Sequence, residues 1–193
     1  MVTAENIKEL REMTGISVMQ VKKALEEAGG DRAKALVLLQ KKGGVIAGKK
    51  GDRALGAGVV SSYIHSTKTV GSIVLLSCET DFVAKNEEFL KLAYDIAMQV
   101  AATDPSYLSR AEVGAEAMEK ARQVFAEESA GKPAELQETI LKGKLDAYFK
   151  DKVLLEQPFI KDEEKTVKDL VDAAVQKFGE RIEVTRVTRF SIK

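Results

Sequence analysis

The sequence predicts an α+β protein: an all-helical head, then a body with a small antiparallel sheet into which an antiparallel helical hairpin is inserted. Three observations carry this. Apolar residues recur at helical spacing, interrupted by glycines, through the first 44 residues. From Gly58 the apolar period switches to two. The segment 182–192, after a long helical stretch, is rich in Val, Thr and Ile and reads as a closing strand.

In the head, Thr3 caps a helix carrying Ile7 and Leu10, which Thr14-Gly15 breaks. Ser17-Val18-Met19-Gln20 has the S-x-x-Q pattern of a capping box, opening a helix with Val21, Ala24, Leu25 and Ala28 that stops at Gly29-Gly30. Asp31 caps a third helix with Ala35, Leu36 and Leu39, predicted to stop at Gly43-Gly44. The Gly- and Lys-rich stretch that follows has no steady period and reads as a linker.

In the body, residues 58–64 alternate as a strand, and Ser66-Thr67-Lys68-Thr69 makes a turn. Residues 70–79 form a second strand, and the apolar run Ile73-Val74-Leu75-Leu76 predicts a middle covered on both faces. Asn86 caps a helix with Phe89, Ala93, Ile96, Ala97 and Val100 on its buried stripe, ended by Asp104-Pro105. Residues 112–150 read as two helices joined at Gly131-Lys132-Pro133, with Val113, Ala117, Ala121 and Val124 facing Leu141, Leu145 and Tyr148. Thr166 caps a last helix, closed by Gly179. In the final strand Val187 falls out of phase with Ile182, Val184 and Phe190, which predicts a bulge.

Composition narrows the function. The 193 residues allow one large domain or two small ones, and 45% hydrophobic with 31% charged residues is ordinary for a globular chain. Thirty basic and thirty acidic residues cancel, so no general grip on nucleic acid is announced. The charge is uneven: residues 1–53 carry eleven basic and seven acidic side chains, residues 54–193 nineteen and twenty-three. A basic head suits an acidic partner surface. No basic segment followed by an apolar run opens the chain, and no apolar stretch approaches the ~20 residues that span a bilayer, so a soluble cytoplasmic protein is expected.

Catalytic parts are scarce. One Cys and one His exclude an internal disulfide and multi-thiolate zinc. No phosphate-cradling glycine motif is present, and neither a metal site nor a cofactor is expected. A nucleophilic pair of Cys78 and His65 on neighbouring strands is conceivable, but Cys78 shares strand parity with Val74 and Leu76 and reads as a small core residue. One spot stands out: Thr80-Asp81-Phe82-Val83-Ala84-Lys85-Asn86, between a strand end and a helix start. A Phe flanked by Asp and Lys is a typical partner anchor. The pattern alone favours the plainer outcome, in which Phe82 packs under the hairpin.

The run from Cys78 to Asn86, Cys-Glu-Thr-Asp-Phe-Val-Ala-Lys-Asn, resembles a signature of the bacterial translation elongation factor Ts family. Leu10-Arg11-Glu12-Met13-Thr14-Gly15, followed by Met19 and Lys22-Lys23-Ala24-Leu25, is similar to that family's other signature. Leu155-Glu156-Gln157-Pro158-Phe159 and Arg189-Phe190 also match, so the resemblance spans the chain in the family's order. It implies a ubiquitin-associated-like head at 1–45, a linker at 46–56 and the family's core domain at 57–193, with its helical hairpin at about 112–150. It implies guanine-nucleotide exchange on elongation factor Tu, by which GDP leaves so that GTP enters, with no covalent chemistry. By resemblance, the loop of Thr80, Asp81, Phe82 and Val83 disturbs the partner's Mg²⁺ site, and Phe82 enters an apolar pocket between partner helices. By the same resemblance, Met19 and Lys22 of the head meet the partner's nucleotide-binding domain. The family usually has Gly and Asp near Ser17 and Gln20, so this head departs from the pattern there. A single hairpin, core helix set and closing strand resemble the short form of the family, which acts as a homodimer. Neither nucleic acid nor membrane is an implied partner. Two rivals stand beside this reading: a passive adaptor that binds without altering nucleotide affinity, and an enzyme using Cys78 and His65.

Overall fold

The computed structural model describes residues 2–129 and 134–192. Its architecture is α+β: eight helices and five strands among the described residues. Helix α1 (Ala4–Thr14) starts where the Thr3 side chain accepts the Asn6 N–H and ends at Gly15, whose φ of 67° belongs to the left-handed region. A Cβ on Gly15 would also run into the Lys177 amine. Helix α2 (Val18–Glu27) starts at Ser17, whose hydroxyl accepts the Gln20 N–H at 3.4 Å. The predicted capping box is only half made, because the Gln20 side chain turns to the body and accepts from Gln176 Nε2 at 2.9 Å. Gln176 is buried and its amide needs a protein partner, whereas the exposed first turn of α2 reaches water.

Helix α3 (Arg32–Lys49) is capped by Asp31 as predicted but does not stop at Gly43-Gly44. These glycines mark a close approach. A Cβ on Gly43 would lie 3.2 Å from both the Asp172 carbonyl and Gln176 Oε1, and one on Gly44 would lie 3.2 Å from Asp172 Oδ2. Helix α3 therefore continues across helix Val167–Phe178, carrying Ile46 and Ala47 onto the body's core. The segment expected as a linker is helical to Lys49 and turns only there. The head keeps its own core of Leu10, Ile16, Val21, Ala24, Leu25, Ala35 and Leu39.

Strands β1 (Ala57–Ile64) and β2 (Val70–Cys78) form the predicted antiparallel hairpin. A one-turn helix α4 (Asp81–Ala84) and the long α5 (Glu87–Thr103) follow. The expected stripe of α5, Phe89, Ala93, Ile96, Ala97 and Val100, is buried throughout. The helices α6 (Ala115–Ser129) and α7 (Ala134–Lys152) make the hairpin. Its predicted joint, Gly131-Lys132-Pro133, lies outside the described residues. Its seam keeps Val113, Ala121 and Leu145 of the predicted one but centres on Phe149, buried with Ala121 and Val153 and joined by Phe125, while Val124 is exposed and Tyr148 partly so. The rings of Phe125, Tyr148 and Phe149 meet edge to face, a geometry that aliphatic periodicity does not register.

The ribbon β3 (Pro158–Phe159) and β4 (Asp162–Thr166) leads into α8 (Val167–Phe178), which opens with a capping box between Thr166 and Asp169. Strand β5 (Ile182–Ser191) closes a sheet of order β1-β2-β5, with β2 in the middle. The predicted bulge is present: Leu75 pairs with Arg186 and Leu76 with Val184, leaving Thr185 as the extra residue. The hairpin foot is pinned to α5 by buried amides. Gln99 Nε2 donates to Gln157 Oε1 and to the Pro158 carbonyl, each at 3.1 Å, and Gln99 Oε1 accepts the Ile160 N–H at 2.9 Å. This accounts for the polar residue of the Gln157-Pro158-Phe159 motif: Gln157 is buried and every bond it makes serves the fold.

Among the described residues, only one face of the sheet is covered. Val74 and Leu76 are fully buried against α5 and α8, but Ile73 is exposed and Leu75 only half-buried. The apolar run in β2 thus does not mean two layers of helix. On the open face the register aligns Ser62, Ile73 and Thr188, and beside them Ile64, Gly71 and Phe190. Val60, Ile64, Ile73, Phe190 and Ile192 are all exposed there. Among the described residues, no helix is long and apolar enough to cross a membrane.

Two glycines of α3 should respond oppositely to substitution. Gly43→Leu, facing α8, should destabilise by about 1–3 kcal/mol through overpacking. Gly48→Ala, where a new Cβ meets nothing within 4 Å, should stabilise by up to about 1 kcal/mol. Urea midpoints moving apart in these directions would support the continuous α3, and equal shifts would contradict it.

Candidate partner-binding site

The segment singled out in the sequence sits where β2 leaves the sheet. Cys78, the last residue of β2, is fully buried and pairs with Ala57 and Ile182 on its two sides. The chain then turns once as α4, and two successive side chains part company. Val83 is 3% exposed and joins the main core, whereas Phe82 is 82% exposed. Phe82 therefore does not pack under the hairpin, contrary to what the pattern alone predicts. Val83 fills the inward place, and a one-turn helix holding one residue in the core points its neighbour outward.

The turn is held on several sides. The Cys78 thiol donates to the Thr80 carbonyl at 3.1 Å. The Thr80 N–H and hydroxyl donate to the two carboxylate oxygens of Glu180 at 3.0 and 2.6 Å. Lys85 Nζ meets Asp81 Oδ2 at 2.7 Å. That bond holds the Asp81 carboxyl below the ordinary aspartate value, so it is charged at neutral pH beside the exposed ring. Glu79 is likewise held low, first by the Arg181 backbone N–H and then by the Arg53 guanidinium. Burial pushes the Cys78 thiol up, and the negative Glu180 adds to that.

The head residues lie apart from this turn. Met19 is 83% exposed on α2, and Lys22, also exposed, forms a long ion pair with Glu26 at 3.8 Å. The two places are linked through α8. Gln176 holds Gln20 beside Met19, and about one turn further on Glu180 holds Thr80. Gln20 thus has a structural partner in the body.

A family model described as elongation factor TS matches residues 46–193. Curated proteins named elongation factor Ts match over nearly the whole chain. The one from Thermodesulfovibrio yellowstonii is 48% identical over 192 residues, 99% of this chain and 96% of its own length. Those from Carboxydothermus hydrogenoformans and Thermotoga petrophila are 46% and 44% identical, covering 100% and 99% of this chain and 89% and 96% of their own lengths. The chain belongs to the elongation factor Ts family. The α+β architecture accords with that family's core.

The structure does not bring Cys78 and His65 together. Cys78 lies opposite Ala57 at one end of the hairpin, while His65 follows Ile64 at the other and bonds the Tyr63 hydroxyl at 3.2 Å. Eight residues of strand separate Ala57 from His65, roughly 25 Å. Among the described residues no group of three or more His, Cys, Asp and Glu could hold a metal ion. Glu180 is the site residue that sequence reasoning missed. A carboxylate just after a helix-closing glycine reads as a solvated surface charge, and only the sheet brings it to Thr80.

Cys78 offers a direct check on this geometry. Its raised thiol pKa means that the proton favours the folded state; that contribution is complete below the ordinary thiol value and is lost as pH rises through the folded one. At pH 8 the folded chain should therefore react with Ellman's reagent at least about tenfold more slowly than the urea-unfolded chain. Equal rates would mean that the end of β2 is open.

Proposed function

We propose that this chain is a guanine-nucleotide exchange factor for elongation factor Tu and that α4 is the prong that loosens GDP. Family membership supports the first part: the matching family model and the relatives carry the name elongation factor Ts, and nucleotide exchange without covalent chemistry is what that membership implies. The second rests on one observation: a large aromatic side chain held out in water on a turn that is otherwise pinned. An exposed Phe gains nothing in the free chain and gains burial in an apolar pocket of a partner.

Tightly bound GDP depends on Mg²⁺ offsetting phosphate charge, so a prong that shifts the ion's surroundings weakens the nucleotide without touching it. Thr80, Asp81, Phe82 and Val83 play unequal parts. Phe82 inserts, Asp81 sets charge at the rim, Thr80 receives the clamp and Val83 roots the turn. The exchange factor must bind nucleotide-free partner more tightly than GDP-bound partner, and the coupling is reciprocal. Burying one Phe is worth about 1.5–3 kcal/mol. Fully expressed at the release barrier, that is about 10- to 150-fold. A larger acceleration needs further contacts, and the exposed Met19 and Lys22 of the basic head supply them. No cofactor and no nucleic acid enters this cycle, which runs in the cytoplasm with the soluble partner.

The functional unit is a homodimer that joins through the open face of the sheet. Val60, Ile64, Ile73, Phe190 and Ile192 form an apolar surface across three strands, and a second copy offers the same surface to it.

Fluorescent GDP dissociation from purified elongation factor Tu tests the exchange reading directly. The chain should accelerate release in proportion to its concentration, whereas a passive adaptor would bind and leave the rate unchanged. Phe82→Ala should slow release by about 10-fold or more with the fold intact. Asp81→Ala should have a smaller effect, on encounter more than on release. An unchanged rate with Phe82→Ala removes α4 from the mechanism. Light scattering should give twice the chain mass for the native chain and a monomer for Ile73→Glu; a native monomer with full activity would sink the dimer.

A further inference from the structure

Thr80 occupies the N-cap of α4, where a threonine hydroxyl ordinarily accepts a helix N–H. Here it makes no such bond. Both of its donors point away from the turn, to the two oxygens of Glu180. A helix of one turn lies far below the length that holds itself together, so α4 depends on what grips it from outside. Val83 anchors one side, in the core, and Glu180 anchors the other.

The backbone on either side of Glu180 is fixed. Glu180 follows Gly179, which closes α8 with a φ of 71° and accepts at its carbonyl from Lys50 Nζ at 2.5 Å. On its other side the Arg181 N–H donates to Glu79 at 2.5 Å, and the Arg181 guanidinium donates to the Arg53 carbonyl at 2.6 Å. The carboxylate thus stands on a backbone pinned both to the end of α3 and to the end of β2.

We propose that Glu180 is a positioning residue for nucleotide exchange, holding Thr80 so that Phe82 faces outward before the partner arrives. The proposal rests on the reading of α4 as the exchange prong and adds what presets its conformation. Without the clamp, α4 frays in the free chain and must be ordered at each encounter.

The slope of GDP release rate against chain concentration is the measured quantity, with elongation factor Tu loaded with fluorescent GDP as the substrate. Glu180→Ala should lower this slope about three- to tenfold, the cost of re-ordering a few side chains. Glu180→Gln should stay within about twofold of wild type, because the amide oxygen still accepts the Thr80 N–H while its NH₂ donates to the hydroxyl. Thr80→Val, which deletes only the hydroxyl bond, should lower the slope by less than Glu180→Ala, and it carries the test should Glu180→Ala not fold by circular dichroism. In a Phe82→Ala background, Glu180→Ala or Thr80→Val should change the slope by less than about twofold, since no ring remains to be positioned. A wild-type slope for both Glu180→Ala and Thr80→Val overturns the clamp, as does the same fold loss with and without Phe82, which would mean general weakening of the fold. A wild-type slope for Phe82→Ala alone overturns the prong reading instead, so the two failures are distinct.

Discussion

Strand β2 is hydrogen-bonded along both edges and buried along one face, and nearly everything else in the body is placed by it. Its inward residues, Val74, Leu76 and Cys78, fix α5 and α8 on the covered side. Its paired edges leave its last residue no freedom to drift, so the chain departs from a defined point in a defined direction. The turn after Cys78 then divides its side chains between core and water, with Val83 taking the first and Phe82 the second. An aromatic ring in solvent is stabilised by nothing locally, and its position is a consequence of the strand behind it and the carboxylate beside it.

What local physics controls was legible from the residues. Thr3, Ser17, Asp31, Asn86 and Thr166 each start the helix they announce, since a cap is a contact over two or three residues. The bulge in β5 was legible as a phase slip, and the core stripe of α5 as a period. What failed was information held elsewhere in the chain. Gly43-Gly44 signals both a helix end and a close approach, and only α8 decides between them. The run at Ile73-Val74-Leu75-Leu76 predicts two covering layers, and the helices of this chain supply one. Four residues of α4 are too few to show a period, so pattern places Phe82 inward, while the family resemblance places it outward. Glu180 lies one hundred positions from Thr80, and no local rule connects them.

Charge and apolar surface are segregated in a way that suits two different contacts. The basic excess lies in the first 53 residues, with Met19 and Lys22 exposed on α2. The open face of the sheet, by contrast, presents Val60, Ile64, Ile73 and Phe190. Electrostatic attraction acts at range and sets encounter, whereas apolar burial acts at contact and sets lifetime. On the reading proposed above, one molecule is met and left repeatedly while a second copy stays joined, and the two kinds of surface are kept apart accordingly.

The unbroken course of α3 has a mechanical consequence. A helix that crosses from head to body without a swivel, and is braced along α8, makes the spacing between α2 and α4 a fixed length rather than a distribution. If α2 and α4 meet one target, as proposed above, engaging the first leaves the second already at the right distance, without the entropy of closing a slack tether. The separation is then a gauge built into the fold rather than a choice made on contact.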